Sequence, residues 1–368
     1  MSEIERLIKE KCPNGVEFKK LEDCCSILDS KRKPVSKGVR ENGEYPYYGA
    51  NGIQDYINDY IFDGEYVLVG EDGSVQTVNG TPVVNWAVGK IWVNNHAHII
   101  EEVEGVSLRY LYHYLQIVDV KDLIHGNIPK LNQSDFRNIK IAIPPLEIQE
   151  EIVRILDKFG ELEAELEAEL EARKSQYEFW RARLFDKDFE IVKLGDLCSI
   201  KTGSKPAEIL EIGKYEYINA GTNNSGYTNE KNAVGNCVTT PSRGQGGIGY
   251  VAFQSRDFWC GPLCYQIRAL NNNLSNKYLY YYMLTNSKYI LGLKHEGGVP
   301  AVNVKELQEM PIVLPPLEEQ NYIVSILDKF DALVNDITVG LPAEIELRRK
   351  QYKYYRNKLL NFEDMQYE

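Results

Sequence analysis

No apolar run in this 368-residue chain reaches the roughly 18 residues that a membrane-spanning helix requires. Its opening, Met1-Ser-Glu-Ile-Glu-Arg6, is charged and lacks the apolar centre of a secretory signal, so the expected compartment is the cytoplasm. Cysteine is sparse and odd in number, seven in all. The spacings Cys24-Cys25 and Cys260-Gly-Pro-Leu-Cys264 fit no common zinc module. These thiols read as reduced core fillers. Of the five histidines, only His96-x-His98 forms a pattern, and on a strand the two side chains would face one side. A strand-surface or core role suits them better than a metal site. Nothing resembles a Gly-x-x-x-x-Gly-Lys-Ser/Thr loop that cradles nucleotide phosphates. An adenine methyltransferase would need Asp/Asn-Pro-Pro-aromatic, but the Pro-Pro pairs follow Ile143 and Leu314. Glu17-Phe-Lys19 lacks the upstream Pro-Asp pair of a nuclease. No catalytic residue is therefore assigned.

Excess basic charge is missing too. The formal net charge is −12, whereas phosphate binding leaves a basic footprint. The distribution is uneven: −7 for residues 1–127, −3 for 128–185, +2 for 186–298 and −4 for 299–368. Only the third segment leans basic. What the chain does have is an ordinary globular balance, 43% hydrophobic and 26% charged, and length enough for two or three cores.

It also has an internal repeat, the feature that organises everything else. Gly126-Asn-Ile-Pro129-Lys-Leu-Asn132 returns as Gly297-Gly-Val-Pro300-Ala-Val-Asn303. Ile139-Lys-Ile-Ala-Ile-Pro144-Pro145-Leu-Glu-Ile-Gln149 returns as Met310-Pro-Ile-Val-Leu-Pro315-Pro316-Leu-Glu-Glu-Gln320, and Ile155-Leu-Asp-Lys-Phe159 as Ile326-Leu-Asp-Lys-Phe330. Weaker matches lie upstream: Leu21 to Ile27 with Leu194 to Ile200, and Arg109 to Tyr114 with Lys277 to Tyr282. The pattern is A–B–A′–B′, with divergent A parts and matched B parts. The predicted division is 1–127, 128–186, 187–298 and 299–368.

After each Pro-Pro, apolar residues recur at steps of three and four, the seam of a coiled coil. The first stripe runs Ile148, Ile152, Ile155, Phe159, Leu162, Leu166, Leu170, Tyr177, Trp180, Leu184. The second runs Ile323, Ile326, Phe330, Leu333, Ile337, Leu341, Ile345, Tyr352, Tyr355, Leu359. They predict long helices over 146–185 and 317–361, the second with a kink or break near 340–342 where Gly340-Leu-Pro342 falls. Both helices are acidic early and basic late. From 146 to 171 there are ten acids and two bases, and from 348 to 360 six bases and no acid. An antiparallel pairing sets unlike charges opposite one another and suits each helix dipole.

Residues 15–127 and 187–298 are rich in Gly, Asn, Tyr and β-branched residues, and each ends in a Tyr-rich helix. The expected fold class is α+β, two α/β domains separated by two long antiparallel helices with an internal pseudo-two-fold relation. The most informative divergence is Val67-Leu-Val-Gly-Glu71-Asp72-Gly73 against Val238-Thr-Thr-Pro-Ser242-Arg243-Gly244. The frame is shared, but the tip changes from acids to Ser-Arg. Two heads reading different bases would differ in this way, since Arg suits guanine, acids suit cytosine and Asn or Gln suits adenine. The candidate DNA-binding residues in the first head are Lys33, Tyr48, Asn51, Gln54, Asp72, Lys90, Asn94 and Asn95. In the second they are Lys205, Asn219, Thr222, Asn223, Asn224, Thr240, Ser242, Arg243 and Gln245. Many of these types also serve as turn residues. A self-contained methyltransferase or nuclease, or a coiled-coil scaffold that never meets DNA, are the competing readings.

The Pro-Pro-Leu-x-x-Gln boundaries at Pro144 and Pro315, the two Ile-Leu-Asp-Lys-Phe segments and Gly340-Leu-Pro-Ala-Glu-Ile-Glu-Leu-Arg-Arg-Lys-Gln-Tyr352 resemble the specificity subunits of type I restriction–modification systems. Tyr45 to Gly52 and Thr240 to Gly247 look like recurring target-recognition sequences. The resemblance implies two target recognition domains, each reading half of a bipartite site in double-stranded DNA. It implies helical regions that dock two modification (methyltransferase) subunits, with nuclease–translocase subunits joining them. S-adenosylmethionine, ATP and Mg would belong to those partners. This chain would need no cofactor, metal or membrane. Glu161-Leu-Glu-Ala recurs at Glu165 and Glu169. Each such unit lengthens a helix by about 6 Å, as a ruler between the heads would require.

Overall fold

The computed structural model describes residues 3–73, 75–295 and 299–362; Gly297 and Gly298 of the repeated Gly-x-x-Pro motif lie outside them. The chain forms two compact units, 1–166 with 345–368, and 167–344.

The first unit opens with α1 (Glu3–Lys11), β1 (Glu17–Lys20) and β2 (Ser26–Ile27). Next come β3 (Asn42–Gly49), β4 (Gly52–Ile57), β5 (Phe62–Gly70), β6 (Val84–Val93) and β7 (Ala97–Glu101). Then follow α2 (Leu108–Leu115), β8 (Ile124–His125), β9 (Lys130–Leu131), α3 (Gln133–Asn138), β10 (Lys140–Ile143) and the first half of α4 (Leu146–Leu184). Six strands form one sheet in the order β2-β7-β5-β6-β3-β4, and β1 pairs with β10. That pairing ties residues on either side of position 127 into one core. Strand β5 is central, and Tyr66 to Gly70 are all buried. Val67 and Val69 pack with α2 residues Leu108 and Leu111, while Tyr66 and Leu68 pack with Phe62, Ile91 and Ile99 on the other face. A strand covered on both faces reads as a continuous apolar run rather than an alternation.

The second unit contains β11 (Ile191–Lys193), α5 (Leu194–Leu197), β12 (Cys198–Thr202), β13 (Tyr215–Ile218), β14 (Tyr227–Thr228), β15 (Cys237–Pro241), β16 (Ala252–Gln254), β17 (Trp259–Cys260) and β18 (Cys264–Ala269). After these come α6 (Asn276–Thr285), α7 (Ser287–Gly292), α8 (Val304–Gln308), β19 (Pro311–Val313) and α9 (Leu317–Asn335). Its sheets run β12-β18-β15-β16 and β17-β13-β14. This is the strand order of the first unit, with the long β6 replaced by two short strands. Val67 pairs with Ile100, and Val238 with Ile267; Tyr47 pairs in parallel with Trp92, and Tyr217 with Trp259.

The matched motifs are joints. Gln149, fully buried, accepts at Oε1 from the Ser107 amide (2.9 Å) and donates to the carbonyls of Gly105 (3.2 Å) and Pro144 (2.8 Å). Gln320 repeats this with Ser275, Asn273 and Pro315, all at 2.8 Å. Ser107 and Ser275 cap α2 and α6, so the Gln of Pro-Pro-Leu-x-x-Gln staples each long helix to the start of a Tyr-rich one. The Asp of Ile-Leu-Asp-Lys-Phe adds a second joint. Asp157 accepts from Arg109 Nε and faces His113 Nε2, both at 2.8 Å, while Asp328 accepts from the Tyr281 hydroxyl at 2.5 Å and pairs with Lys277 at 3.2 Å. Each cation also lies on aromatic rings, Arg109 over Trp86 and Tyr112, Lys277 over Phe253 and Tyr280.

In the first unit α4 meets α10 (Leu341–Leu360) in antiparallel sense: Glu163 bonds Arg349 at 2.6 Å, and Phe159 stacks on Tyr355 at 5.5 Å. The second helical region is not one helix. It is interrupted from Asp336 to Gly340, and Pro342 sits in the first turn of α10, where its missing amide costs nothing. Gly340 is required there, because a Cβ would lie 2.5 Å from the Ala332 carbonyl oxygen. The predicted seam needs three corrections. Trp180, Leu333 and Ile337 are exposed, whereas Leu156, Leu327 and Val334 are buried; Tyr355 keeps a partly exposed ring but stacks on Phe159. The 3-4 step read from a straight helix drifts, and the Asp336–Gly340 break resets it.

Candidate nucleic-acid interface

In each unit the divergent loops gather at one end of the sheet. The first unit builds this end from the β3–β4 turn, the β6–β7 turn and the turn after β5. The Asn94 amide donates to the Tyr48 carbonyl (3.1 Å), and the Asn94 side chain donates to Gln54 Oε1 (3.3 Å). The Glu71 amide donates to the His96 carbonyl (2.8 Å), and Asp72 pairs with His96 Nδ1. Lys33 joins through its amide, which donates to Val93 (3.2 Å), and through its carbonyl, which accepts from Trp92 Nε1 (2.6 Å). Lys33, Asn51, Gln54 and Asn95 are exposed there, and Asp72 is half-buried.

Three candidates are placed differently. Tyr48 and Asn94 are buried: Tyr48 packs with Phe62 and Ile91, and the polar atoms of Asn94 are used within the turn. Lys90 lies farther along β6, opposite Asp63, with its ammonium 4.7 Å from the Tyr60 ring centroid. Charge interaction with the phenolic groups of Tyr60 and Tyr45 holds its pKa above the usual lysine value.

In the second unit Asn219, Thr222, Asn223 and Asn224 line a cleft of about 130 Å³ together with Thr239, Pro241 and Tyr250. The next loop runs alongside: Gly244 and Gly247 lie against Ala220, and a Cβ on Gly247 would fall 2.1 Å from the Ala220 carbonyl oxygen. Arg243 and Gln245 are exposed on that loop. Lys205 is exposed beside Ser204, whose amide donates to the Cys260 carbonyl at 3.0 Å. Thr240 and Ser242 are buried, so they shape the turn rather than offering hydroxyls to a groove. Every residue of β15 is buried, Thr240 among them, and Ser242 is pinned by backbone bonds to Leu263 and Val302.

The repeated Gly-x-x-Pro segment seals each tip. The Gly73 amide donates to Pro129 (2.9 Å) and the Leu131 amide to Glu71 (2.8 Å); the Gly244 amide donates to Pro300 (3.0 Å) and the Val302 amide to Ser242 (2.9 Å). Gly73 and Gly244 have φ of 78° and 132°, which side chains rarely adopt. Beneath the tips the two units differ. The second closes with a neutral bond from the Tyr265 hydroxyl to the Val302 carbonyl (2.9 Å). The first buries charge: His98 Nδ1 faces Asp29 (2.7 Å), His98 Nε2 faces the Leu131 carbonyl (2.9 Å), and Arg32 reaches Glu71 (2.6 Å) and Asp29 (3.4 Å). Burial pulls the Asp29 carboxyl upward, but bonding to His98 and the charge of Arg32 outweigh it, and the net shift is downward. Asp29, Glu71 and His98 are close enough to share an ion. However, both ring nitrogens are committed and Arg32 already balances the acids, so the cluster does not suit a metal.

All seven cysteines are free, and burial pushes the Cys25 and Cys198 thiols up to about 12, far from the reactive range. Among the described residues no helix is long and apolar enough to cross a membrane.

Two frames of one design carry unlike tips, and comparison with known proteins shows the family to which such a chain belongs. The chain matches the type I restriction modification DNA specificity domain twice, over residues 13–172 and 186–347, and it belongs to that family. It is 37% identical to a putative type I restriction enzyme specificity subunit of Haemophilus influenzae, covering 97% of this chain and 99% of the relative. It is 33% identical to the EcoR124I/EcoR124II specificity subunit of Escherichia coli, over 69% of this chain and 71% of that one. The fold is similar to the crystal structure of a type I S subunit from M. genitalium, with TM-score 0.64, 18% identity, and coverage of 94% and 97%. The chain is thus a DNA sequence-specificity subunit of a type I restriction–modification system, a recognition subunit and not a catalytic one.

Proposed function

We propose that the two units read the two halves of a bipartite DNA site, each with the sheet end described above. The helices between them set the spacer and dock two modification subunits. Nuclease–translocase subunits complete the assembly in the cytoplasm, and S-adenosylmethionine, ATP and Mg act in those partners. The carrying observation is the tip after β5 and β15, where the same backbone bonds from Gly73 and Gly244 hold Asp72 in one unit and Arg243 in the other. Among the exposed candidates, Asn51, Gln54, Asn95, Thr222, Asn223, Asn224, Arg243 and Gln245 are the proposed groove contacts, with Lys33 and Lys205 toward phosphates. A net charge of −12 fits a subunit that binds DNA weakly until methyltransferase subunits add phosphate contacts.

Sequencing methylated adenines in cells that express this chain with its modification subunits tests the reading. Two short determined segments separated by a fixed undetermined spacer are expected. A contiguous site, or methylation without sequence preference, would overturn it.

A further inference from the structure

The two sheet ends differ at a second position coupled to the Asp72/Arg243 exchange. In the first unit the partner of Asp72 is His96. The His96 amide donates to Asn94 Oδ1 at 2.8 Å, its carbonyl accepts from the Glu71 amide at 2.8 Å, and its ring Nδ1 is bonded to the Asp72 carboxylate. The second unit rebuilds the backbone half of this arrangement around Leu263. The Leu263 amide donates to Asn219 Oδ1 at 3.0 Å, and its carbonyl accepts from the Ser242 amide at 2.9 Å. An Asn side chain and the tip strand thus present the same residue of the facing turn in both units, and that residue changes from imidazole to isobutyl as Asp72 changes to Arg243.

We propose that 96 and 263 are specificity-determining positions of the two recognition domains, and that His96, oriented by Asp72, reads an exocyclic amine on a base edge. This rests on the reading that these sheet ends meet DNA. A carboxylate only accepts, so Asp72 selects the ring tautomer with hydrogen on Nδ1 and leaves Nε2 a bare acceptor. The His96 side chain is 46% exposed, and among the described residues no bond to Nε2 accompanies the one at Nδ1. In the major groove the groups that donate to such an acceptor are the N6 amine of adenine and the N4 amine of cytosine. Asp72 is then a positioning residue rather than a base contact. Leu263 offers neither donor nor acceptor, and beside Arg243 it suits an apolar neighbour such as a thymine methyl.

The test is methylation-site mapping of the full chain with its modification subunits, for wild type and for His96→Ala, His96→Gln and Asp72→Asn. The wild-type map checks the underlying reading independently, because a map without two half-sites fails that reading whatever the variants do. Given two half-sites, His96→Ala is expected to lower discrimination by about 10- to 100-fold at one or two adjacent base pairs of one half-site. The other half-site and the spacer stay unchanged. His96→Gln, which keeps an acceptor, retains part of the preference. Asp72→Asn can hand a donor to Nδ1 and leave hydrogen on Nε2, so preference at the same base pairs moves toward guanine or thymine, whose edges accept. An unchanged preference in His96→Ala overturns the proposal. So does an even loss of methylation with the base preference intact in all three variants, the result a merely structural histidine gives.

Discussion

Replacing Gln149 with alanine is expected to be among the costliest single changes in the first unit, although Gln149 touches neither DNA nor partner in the proposed mechanism. Its side chain is fully buried and makes three bonds, at 2.9, 3.2 and 2.8 Å, to one amide and two carbonyls. Truncation strands all three groups beneath the start of α4, away from water. Each stranded buried group costs about 1–3 kcal/mol, and because neighbours relax together the total is about 3–6 kcal/mol. Against a domain stability of about 5–15 kcal/mol, that is enough to unfold the joint locally. Urea unfolding of the whole chain should show the loss. Hydrogen exchange should accelerate at residues 105–111 and 142–152 while residues 273–283 stay protected. Gln320→Ala should reverse that pattern, and the two costs should add within about 0.5 kcal/mol because the residues belong to separate cores. A Gln149→Ala loss below about 1 kcal/mol, with exchange unchanged at the Ser107 amide, would refute the staple.

Stability should also fall on the acid side. Burial holds the His113 pKa below its ordinary 6.5, so the folded form prefers it neutral. Burial pulls Asp157 upward, but bonds from His113 and Arg109 outweigh this and leave it below its ordinary 3.8. In both cases the unfolded chain binds the proton more readily. Stability is therefore fully present above pH 6.5, declines as pH falls through that value, and declines again below 3.8. Thermal melts of wild type and His113→Gln over this range should converge at low pH, and parallel curves would contradict the assignment. Deleting Glu165 to Ala168, one tandem unit, should shorten the spacer by about one base pair, since the unit's rotation beyond a full turn, about 40°, is close to the turn of one base pair, about 35°; a mapped spacer of unchanged length would refute it. Arg243→Ala should relax base preference in one half-site only, whereas Lys205→Ala should weaken binding evenly across sequences, with a shallower salt dependence.

The repeat, the helix starts after Pro144 and Pro315, the Tyr-rich helices and the shared tip after β5 and β15 were legible from residues alone, because each is a local pattern copied twice. Site residues were harder. Tyr48, Asn94, Thr240 and Ser242 have the right chemistry for a groove but point inward, and strand alternation cannot be counted through irregular turns. His96 was visible only as half of a His-x-His pair, because its partners Glu71 and Asp72 come from another segment, the turn after β5, and only Asn94 shares its own turn. Aligning β7 on β18 places His96 against Leu263, a signal too faint to use without the strand registers.

By itself, the residue order declares a duplicated chain with two unlike heads and two long helical regions, since periodicity, prolines and repeated motifs act over a few residues at a time; the recognition role came from resemblance to a family. Which side chains stand exposed on the divergent loops, which polar groups serve as joints, and where the second helix breaks depended on the fold. Those outcomes turn on burial and on hydrogen bonds between segments distant in sequence, and these interactions exist only once the cores have closed.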